Sequence, residues 1–196
     1  MSTEAEIGVR RVIGPCASGS LSSDLPPGTF VVCDQFVDRT SGRADTFYDG
    51  PVTTHVSAAD PYCADLRRIL LETGREQGID IRDAGTVVVI QGPRFSTRAE
   101  SRWFSSMGWG VINMTAYPEG WLARELELCY ANVSLITDYD VGLEDEPGIE
   151  AVSHESVMQV FAENNERLRR LLFEAIPKIG PQPDDACRTA LSGARA

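Results

Sequence analysis

The chain has 196 residues, 42% hydrophobic and 24% charged, which is enough for one globular domain and too few for two ordinary ones. Twenty-nine acidic residues against 18 basic ones leave a net charge of −11. That balance argues against nucleic acid or an anionic membrane as the principal partner.

Residues 1–9 are polar and acidic and read as a leader without the positive-then-apolar order of a secretory signal. Residues 10–13 form a weak strand candidate, followed by a Gly- and Ser-rich loop over 14–28. Residues 29–36 read as a strand, and 38–60 as a polar segment rich in turn residues. Asp60-Pro61 has the form of a helix start, an N-cap followed by proline at the first helical position. Leu66, Ile69, Leu70 and Thr73 then repeat at three and four, one buried helix face.

The run GTVVVIQ (85–91) predicts a strand covered on both faces. Ser96 or Thr97 opens the next helix, with Thr97 and Glu100 at capping-box spacing and Gly108 as its stop. A second buried strand is predicted over 110–114, a short helix over 118–128 and a third strand over 129–137. Ser153 caps the longest helix, with Val157, Val160, Phe161, Leu168, Leu171, Leu172 and Ala175 along one face and Pro177 at its end. Residues 180–196 are small, polar and proline-containing, and read as a disordered tail.

Alternation of this kind predicts an α/β domain over 10–179 with a mixed, largely parallel β-sheet flanked by helices. Ligands in such folds gather at strand carboxyl ends. Three chemically promising segments fall there: Phe95 after one strand, Met114 and Thr115 after the next, Asp138 and Asp140 after the third. No stretch approaches the roughly 20 apolar residues of a membrane span.

Each segment has two readings. Phe95 could stack on a flat ligand beside Ser96 and Thr97 at a helix N-terminus, or be a buried aromatic next to a capped helix start. Thr137-Asp138-Tyr139-Asp140 could project two carboxyls into a crevice, where desolvation and a like-charged neighbour keep one protonated as a general acid. It could equally be a solvated acidic turn. Asn113-Met114-Thr115 and Asn132-Val133-Ser134 match a glycosylation acceptor, but both lie in strand-like runs. His55 and His154 are too few and too far apart for a metal site. Five scattered cysteines without a C-x-x-C pair predict reduced thiols, a cytoplasmic setting, and neither disulfide framework nor metal. A G-x-S-x-G elbow, a Walker loop and G-x-G-x-x-G are all missing, which removes the usual hydrolase, NTPase and dinucleotide readings.

Taken in order, DQFVDRT (34–40), FYDG (47–50), GPRFSTRAES (92–101), VINMT (111–115) with Pro118-Glu119, CYA (129–131) and TDYD (137–140) resemble the trimeric purine nucleoside phosphorylases, and most closely their S-methyl-5′-thioadenosine phosphorylase branch. The resemblance implies a pentosyltransferase of purine and methionine salvage. It would convert S-methyl-5′-thioadenosine and inorganic phosphate, a co-substrate rather than a cofactor, to adenine and 5-methylthioribose 1-phosphate.

It further implies that Asp138 is the acid facing purine N7 and Asp140 the acceptor for the 6-amino group. Phe95 and Met114 would pack on base and sugar, and Ser96 would contact the base. Thr115 by its hydroxyl and Ala17 by its backbone N–H would hold phosphate, and His55 would border the 5′ substituent. A homotrimer is implied by the resemblance alone.

The sequence departs from the pattern at its start. The family's glycine-rich phosphate loop and an Arg-His pair that contacts phosphate are missing, Cys16 stands where a threonine is usual, and Gln91 where a glutamate is common. These departures predict an N-terminally truncated relative with an unpaired strand side in its sheet and an incomplete phosphate site. Two alternatives remain: a 6-oxopurine nucleoside phosphorylase acting on inosine or guanosine, and a purine-binding remnant without catalysis.

Overall fold

A computed structural model describes residues 2–83, 85–149 and 153–195, apart from the side chains of Ser2 and Ser156. A short helix, α1 (Ser2–Glu6), leads into the strand β1 (Arg11–Ser20), and β2 (Phe30–Val32) and β3 (Gln35–Arg39) follow. The chain then alternates through α2 (Ala64–Glu76), β4 (Ile81–Asp83), β5 (Thr86–Ile90), α3 (Arg98–Ser106), β6 (Val111–Asn113), α4 (Ala116–Glu125) and β7 (Cys129–Tyr139), and ends with the long α5 (His154–Ala175). The seven strands form one sheet in the order β3-β5-β6-β1-β7-β2-β4. The pairs β1/β7, β2/β4, β3/β5 and β5/β6 are parallel, whereas β1/β6 and β2/β7 are antiparallel. The sheet is thus mixed and largely parallel, with helices on both faces.

The period-two geometry of β7 divides the core. Cys129, Ala131, Val133 and Leu135 face α2 and α5, where they meet Leu66, Leu70, Leu168 and Leu171. Tyr130 and Ile136 face the opposite side with Val87, Val111 and Ala123. Between those two, Asn132 and Ser134 are fully buried. Burial there would be costly without partners, and each has them. Ser134 Oγ donates to Asn132 Oδ1 at 2.9 Å and Ser18 Oγ to Ser134 Oγ at 3.0 Å. Asn132 Nδ2 donates to Gly14 O at 3.1 Å. Both N-x-S/T segments are closed to a glycosyl donor, since Asn113 is also buried.

Several elements differ from expectation for identifiable reasons. The segment 14–28, read as a loop because of its Gly, Ser and Pro content, begins with the rest of β1, which runs on to Ser20. Ten residues of β7 pair with it, which overrides local propensity. The opposite side of β1 meets β6 only at Gly19 and Ser20, so Pro15 and Ala17 stay exposed within a central strand. The expected unpaired strand side is therefore on β1, and Pro15, which has no N–H to donate, suits it. The 29–36 run is two strands rather than one, and α2 starts at Ala64 behind Cys63 rather than at Pro61.

The leader, outside Met1, which lies beyond the described residues, is not featureless: it contains α1, and Ala5 packs on the core. Nor do residues 180–195, the described part of the expected tail, hang free of the body. Cys187 and Ala194 are buried, Leu191 N–H donates to Glu127 Oε1 at 3.1 Å, and Thr54 bridges Arg195. Few of its residues are apolar, but those few reach the body.

Gly14 faces the ring of Tyr130, whose hydroxyl is anchored on Glu119 Oε2 at 2.7 Å. A Cβ at this position would lie 1.9 Å from Tyr130 Oη. Gly14→Ala is expected to lower stability by about 1–3 kcal/mol, the usual range for overpacking a tight core. Urea denaturation measures this, and an unchanged midpoint would mean that the ring moves aside freely.

Candidate active site

The carboxyl ends of β6 and β7 open with Ile90 of β5 and the Ala17–Gly19 stretch of β1 onto one cavity of about 250 Å³. Phe95 and Ser96, on the approach to α3, close one side, and Val157 of α5 lies over it. Met114 and Thr115 follow β6 on its wall, and Asp138 and Asp140 follow β7. Seven of the eight residues singled out from the sequence thus meet in one place.

Local structure explains their positions. Thr97 caps α3 in a reciprocal box: its hydroxyl accepts from Glu100 N–H at 3.2 Å, and Glu100 Oε2 accepts from Thr97 N–H at 2.7 Å. Arg94 also pairs with Glu100 at 2.8 Å, and with that cation beside it the Glu100 carboxyl falls to about 2. This bracing leaves Phe95 46% exposed at the cavity rather than buried beneath the helix. Met114 lies against Gly92, where a Cβ would come within 2.7 Å of its sulfur. Arg43 then ties the strand ends together, donating to Met114 O at 2.8 Å, to Tyr117 O, and to Gln91 Oε1 at 3.2 Å.

Asp140 is not part of a solvated turn, being only 3% exposed. Ser96 Oγ donates to its Oδ2 at 2.5 Å, and its own N–H donates to Ser20 O at 2.8 Å. The next residues are pinned to α3, where Ser101 Oγ accepts from Gly142 N–H at 2.9 Å.

Asp138 is half-buried, and that burial lifts its carboxyl above the ordinary carboxylate range. A hydrogen bond from Thr137 works against the rise, and the Asp140 charge adds to it. The Thr137 hydroxyl sits 2.7 Å from Asp138 Oδ1 and 3.2 Å from Ser18 O. Its single proton is divided between these acceptors, and donation to Oδ1 favours the ionised carboxyl. Desolvation outweighs that bond, so the balance moves toward the protonated state.

The phosphate-side candidates are less complete. Thr115 is exposed and its hydroxyl donates to Cys16 Sγ at 3.3 Å. Asn113 Oδ1 accepts from the backbone N–H groups of Thr115 and Ala116 at 3.4 and 3.3 Å, which holds the turn after β6. Ala17 is exposed and lines the cavity from β1. Among the described residues no arginine or lysine lines the cavity.

His55 does not join the site. It is exposed on the 51–60 loop, and its N–H donates to Ala194 O at 2.7 Å, outside the cavity lining. Conversely, sequence reasoning missed Val157, Asn113, Ser18 and Thr137 as parts of this wall. Val157 belongs to an ordinary apolar helix stripe, so no signal set it apart. Thr137, adjacent to a candidate acid, was legible as a possible partner.

A family model described as the phosphorylase superfamily matches residues 3–177. The chain is similar to the S-methyl-5′-thioadenosine phosphorylase of Mycobacterium tuberculosis, 54% identical over 177 residues, covering 90% of this chain and 63% of that protein. It is also similar to a purine nucleoside phosphorylase of Streptomyces coelicolor, 48% identical over 197 residues, covering 95% of this chain and 69% of the relative. Among solved structures, the methylthioadenosine phosphorylase of Schistosoma mansoni in complex with adenine superposes with a TM-score of 0.90 at 33% identity. That match covers 99% of this chain and 76% of the other. The chain therefore spans between about three fifths and three quarters of the length of these relatives.

The raised Asp138 pKa has a stability consequence. The folded state binds this proton more tightly than the unfolded one, so ionising the group costs stability. The cost is absent below the unfolded value of about 3.9, grows as pH rises toward the raised native value, and is constant above it. Asp138→Asn cannot ionise and keeps an acceptor for Thr137. Relative to the parent chain it should gain stability as pH climbs through that window, and urea unfolding from about pH 4 to about pH 8 measures the difference. Parallel pH profiles would show a carboxyl that is solvated as in an ordinary turn.

Proposed function

The chain belongs to the phosphorylase superfamily, and on that premise we propose that its cavity binds a 6-aminopurine nucleoside and serves the phosphorolysis of S-methyl-5′-thioadenosine to adenine and 5-methylthioribose 1-phosphate. One observation carries this reading. Asp138, held toward its protonated form, and Asp140, anchored by Ser96, share one cavity with Phe95 and Met114.

A purine anion leaves poorly, so hydrogen bonding or protonation at N7 as the glycosidic bond breaks lowers the barrier. Asp138 is the acid in this scheme. With a base bound, its proton is required at Oδ2, the oxygen turned away from Thr137; Thr137 then donates to Oδ1 and fixes the carboxyl's orientation. Asp140 uses Oδ2 to accept from Ser96 and offers Oδ1 to the 6-amino group. A carboxylate there repels the carbonyl oxygen of a 6-oxopurine, which selects adenine over hypoxanthine. Phe95 and Met114 supply apolar surface for base and sugar.

Inorganic phosphate is the co-substrate, met by the Thr115 hydroxyl and the β1 backbone at Ala17. The same reading places the reaction in purine and methionine salvage in the cytoplasm, with the chain in a homotrimer. The names of the relatives support the reaction, the motif resemblance supports salvage and the trimer, the unpaired cysteines in the sequence support the cytoplasm, and the net charge of −11 supports small molecules over nucleic acid or membranes as partners. Among the described residues no helix is long and apolar enough to cross a membrane.

The cavity's lack of a lining cation favours a second reading, purine binding without turnover, because phosphate dianion would meet only hydroxyl and backbone dipoles there.

Phosphate-dependent release of adenine from methylthioadenosine, run beside hypoxanthine release from inosine, separates these readings. The proposal expects the first reaction to be the faster. Asp138→Asn should lower kcat by about 10²–10⁴-fold with KM little changed, and Asp140→Asn should shift preference toward inosine. Faster inosine turnover by the parent chain would replace the proposal with a 6-oxopurine activity. Adenine binding with no phosphorolysis would establish the binding reading.

A further inference from the structure

Of the five cysteines, scattered along the sequence and read there as isolated small hydrophobes without a metal site, three come together in space. The Sγ atoms of Cys63, Cys129 and Cys187 and a carboxylate oxygen of Asp185 all lie within 4.8 Å of one another. All three cysteines are buried and Asp185 is half-buried. Two of these ligand positions sit at the entrances to elements 66 residues apart in sequence, and the other two are in the segment expected to be disordered. Spacing rules for C-x-x-C motifs therefore do not detect the cluster.

We propose that Cys63, Cys129, Cys187 and Asp185 form a structural site for one zinc-class divalent cation, which clamps the 180–196 segment to the body of the domain. The donor set is the first argument. Three thiolates with one carboxylate satisfy a tetrahedral zinc ion, and they leave no open position for a catalytic water. Zinc–sulfur bonds of about 2.3 Å place tetrahedral sulfurs about 3.8 Å apart, so the three sulfurs need to approach one another by about 1 Å at most. The carboxylate ligand favours zinc over copper(I), which prefers an all-sulfur environment.

The scaffold also holds the donors already. Cys63 precedes α2 with extended backbone, and its N–H donates to Tyr130 O at 2.8 Å. Cys129 opens β7 with its N–H on Arg10 O at 2.9 Å. Asp185 Oδ1 accepts from the N–H groups of Cys187 at 2.9 Å and Arg188 at 3.4 Å, a turn that orients carboxylate and thiol together.

Charge fits as well. Three thiolates and a carboxylate around a divalent ion leave two negative charges, and burying them requires a neighbouring cation. Arg11 is the strand partner of Cys129, and its side chain is only 8% exposed. Its guanidinium bonds to Asp65 and to the carbonyls of Gly180 and Pro181 at 3.2 Å each, so it also touches the clamped segment. Its Nε is buried with no hydrogen-bond partner, the orphan expected beside an anionic group.

This site lies at the amino end of β7, and the candidate active site at the carboxyl end. Ten residues at about 3.3 Å each separate them by roughly 30 Å. The ion is therefore structural, and its presence does not depend on the function proposed above.

The test is cobalt titration of the reduced, metal-free full chain under anaerobic conditions. The proposal expects one equivalent bound, with thiolate-to-cobalt charge transfer and the intense visible bands of a tetrahedral site, and displacement of the cobalt by zinc. Cys187→Ser should abolish the tetrahedral bands, and Cys16→Ser, outside the cluster, should leave the titration unchanged. A second readout on the parent chain guards against misfolding of variants: zinc should slow proteolysis within 180–196, and a chelator should restore it. No stoichiometric cobalt uptake, uptake indifferent to Cys187→Ser, or loss of two free thiols to a disulfide in a chain without metal affinity would each overturn the proposal.

Discussion

The parallel pairing of β1 with β7 is the constraint from which the rest of the molecule follows. Ten residues of one strand run beside ten of the other, from Arg11 and Cys129 at one end to Ser20 and Tyr139 at the other. That alignment brings Ser18 O within reach of Thr137 and Ser20 O within reach of the Asp140 N–H. It thereby sets the two carboxyl groups on a shared wall. Without it, two acidic side chains would hydrate separately in a loop, and desolvation would not hold Asp138 toward its neutral form.

Much of this architecture was legible because it depends on local periodicity. The capping box at Thr97, the β-branched strand at 86–90 and the apolar stripe of α5 each express a rule that acts over a few residues. β1 was not legible past Ile13. Its Gly-Pro-Cys-Ala-Ser-Gly-Ser run has the composition of a loop, and it becomes a strand only because β7 offers a ladder of unpaired groups. The seven cavity residues were found through motif resemblance as much as through chemistry, and the eighth shows the limit of that route. His55 lies on a loop whose course is set by contacts with residues 194 and 195, a long-range pairing that spacing does not encode.

The same distinction explains the cysteines. Each one alone looks like a small apolar side chain, and Cys33 remains so, fully buried with its thiol pushed up to about 12 by burial. Cys63 and Cys129 come together because α2 packs on the face of β7 that carries the odd-numbered residues. Cys187 reaches them because Gln182 and Leu191 are tied to Glu127, just before β7 begins. Three independent pieces of tertiary structure are needed, and none leaves a trace in a short window of sequence.

The middle of β7 shows what the active end demands of the core. Asn132 and Ser134 occupy positions where Val or Ile would bury more apolar surface, and they are retained with Ser18 and Asn113 in a connected polar row, Asn113 Nδ2 donating to Ser18 Oγ at 3.4 Å. A hydrogen bond of this kind contributes about 0.5–1.5 kcal/mol net, whereas breaking one member strands a buried partner at about 1–3 kcal/mol. The asymmetry makes the row hard to rearrange: a shift of Ser18 would leave both Ser134 and Asn113 short of a partner. Ser18 O also competes with Asp138 Oδ1 for the Thr137 hydroxyl proton. The polar row beneath the cavity therefore fixes the position of an atom that weakens the one hydrogen bond opposing protonation of the acid, and an apolar core at the same positions would leave that atom free to move.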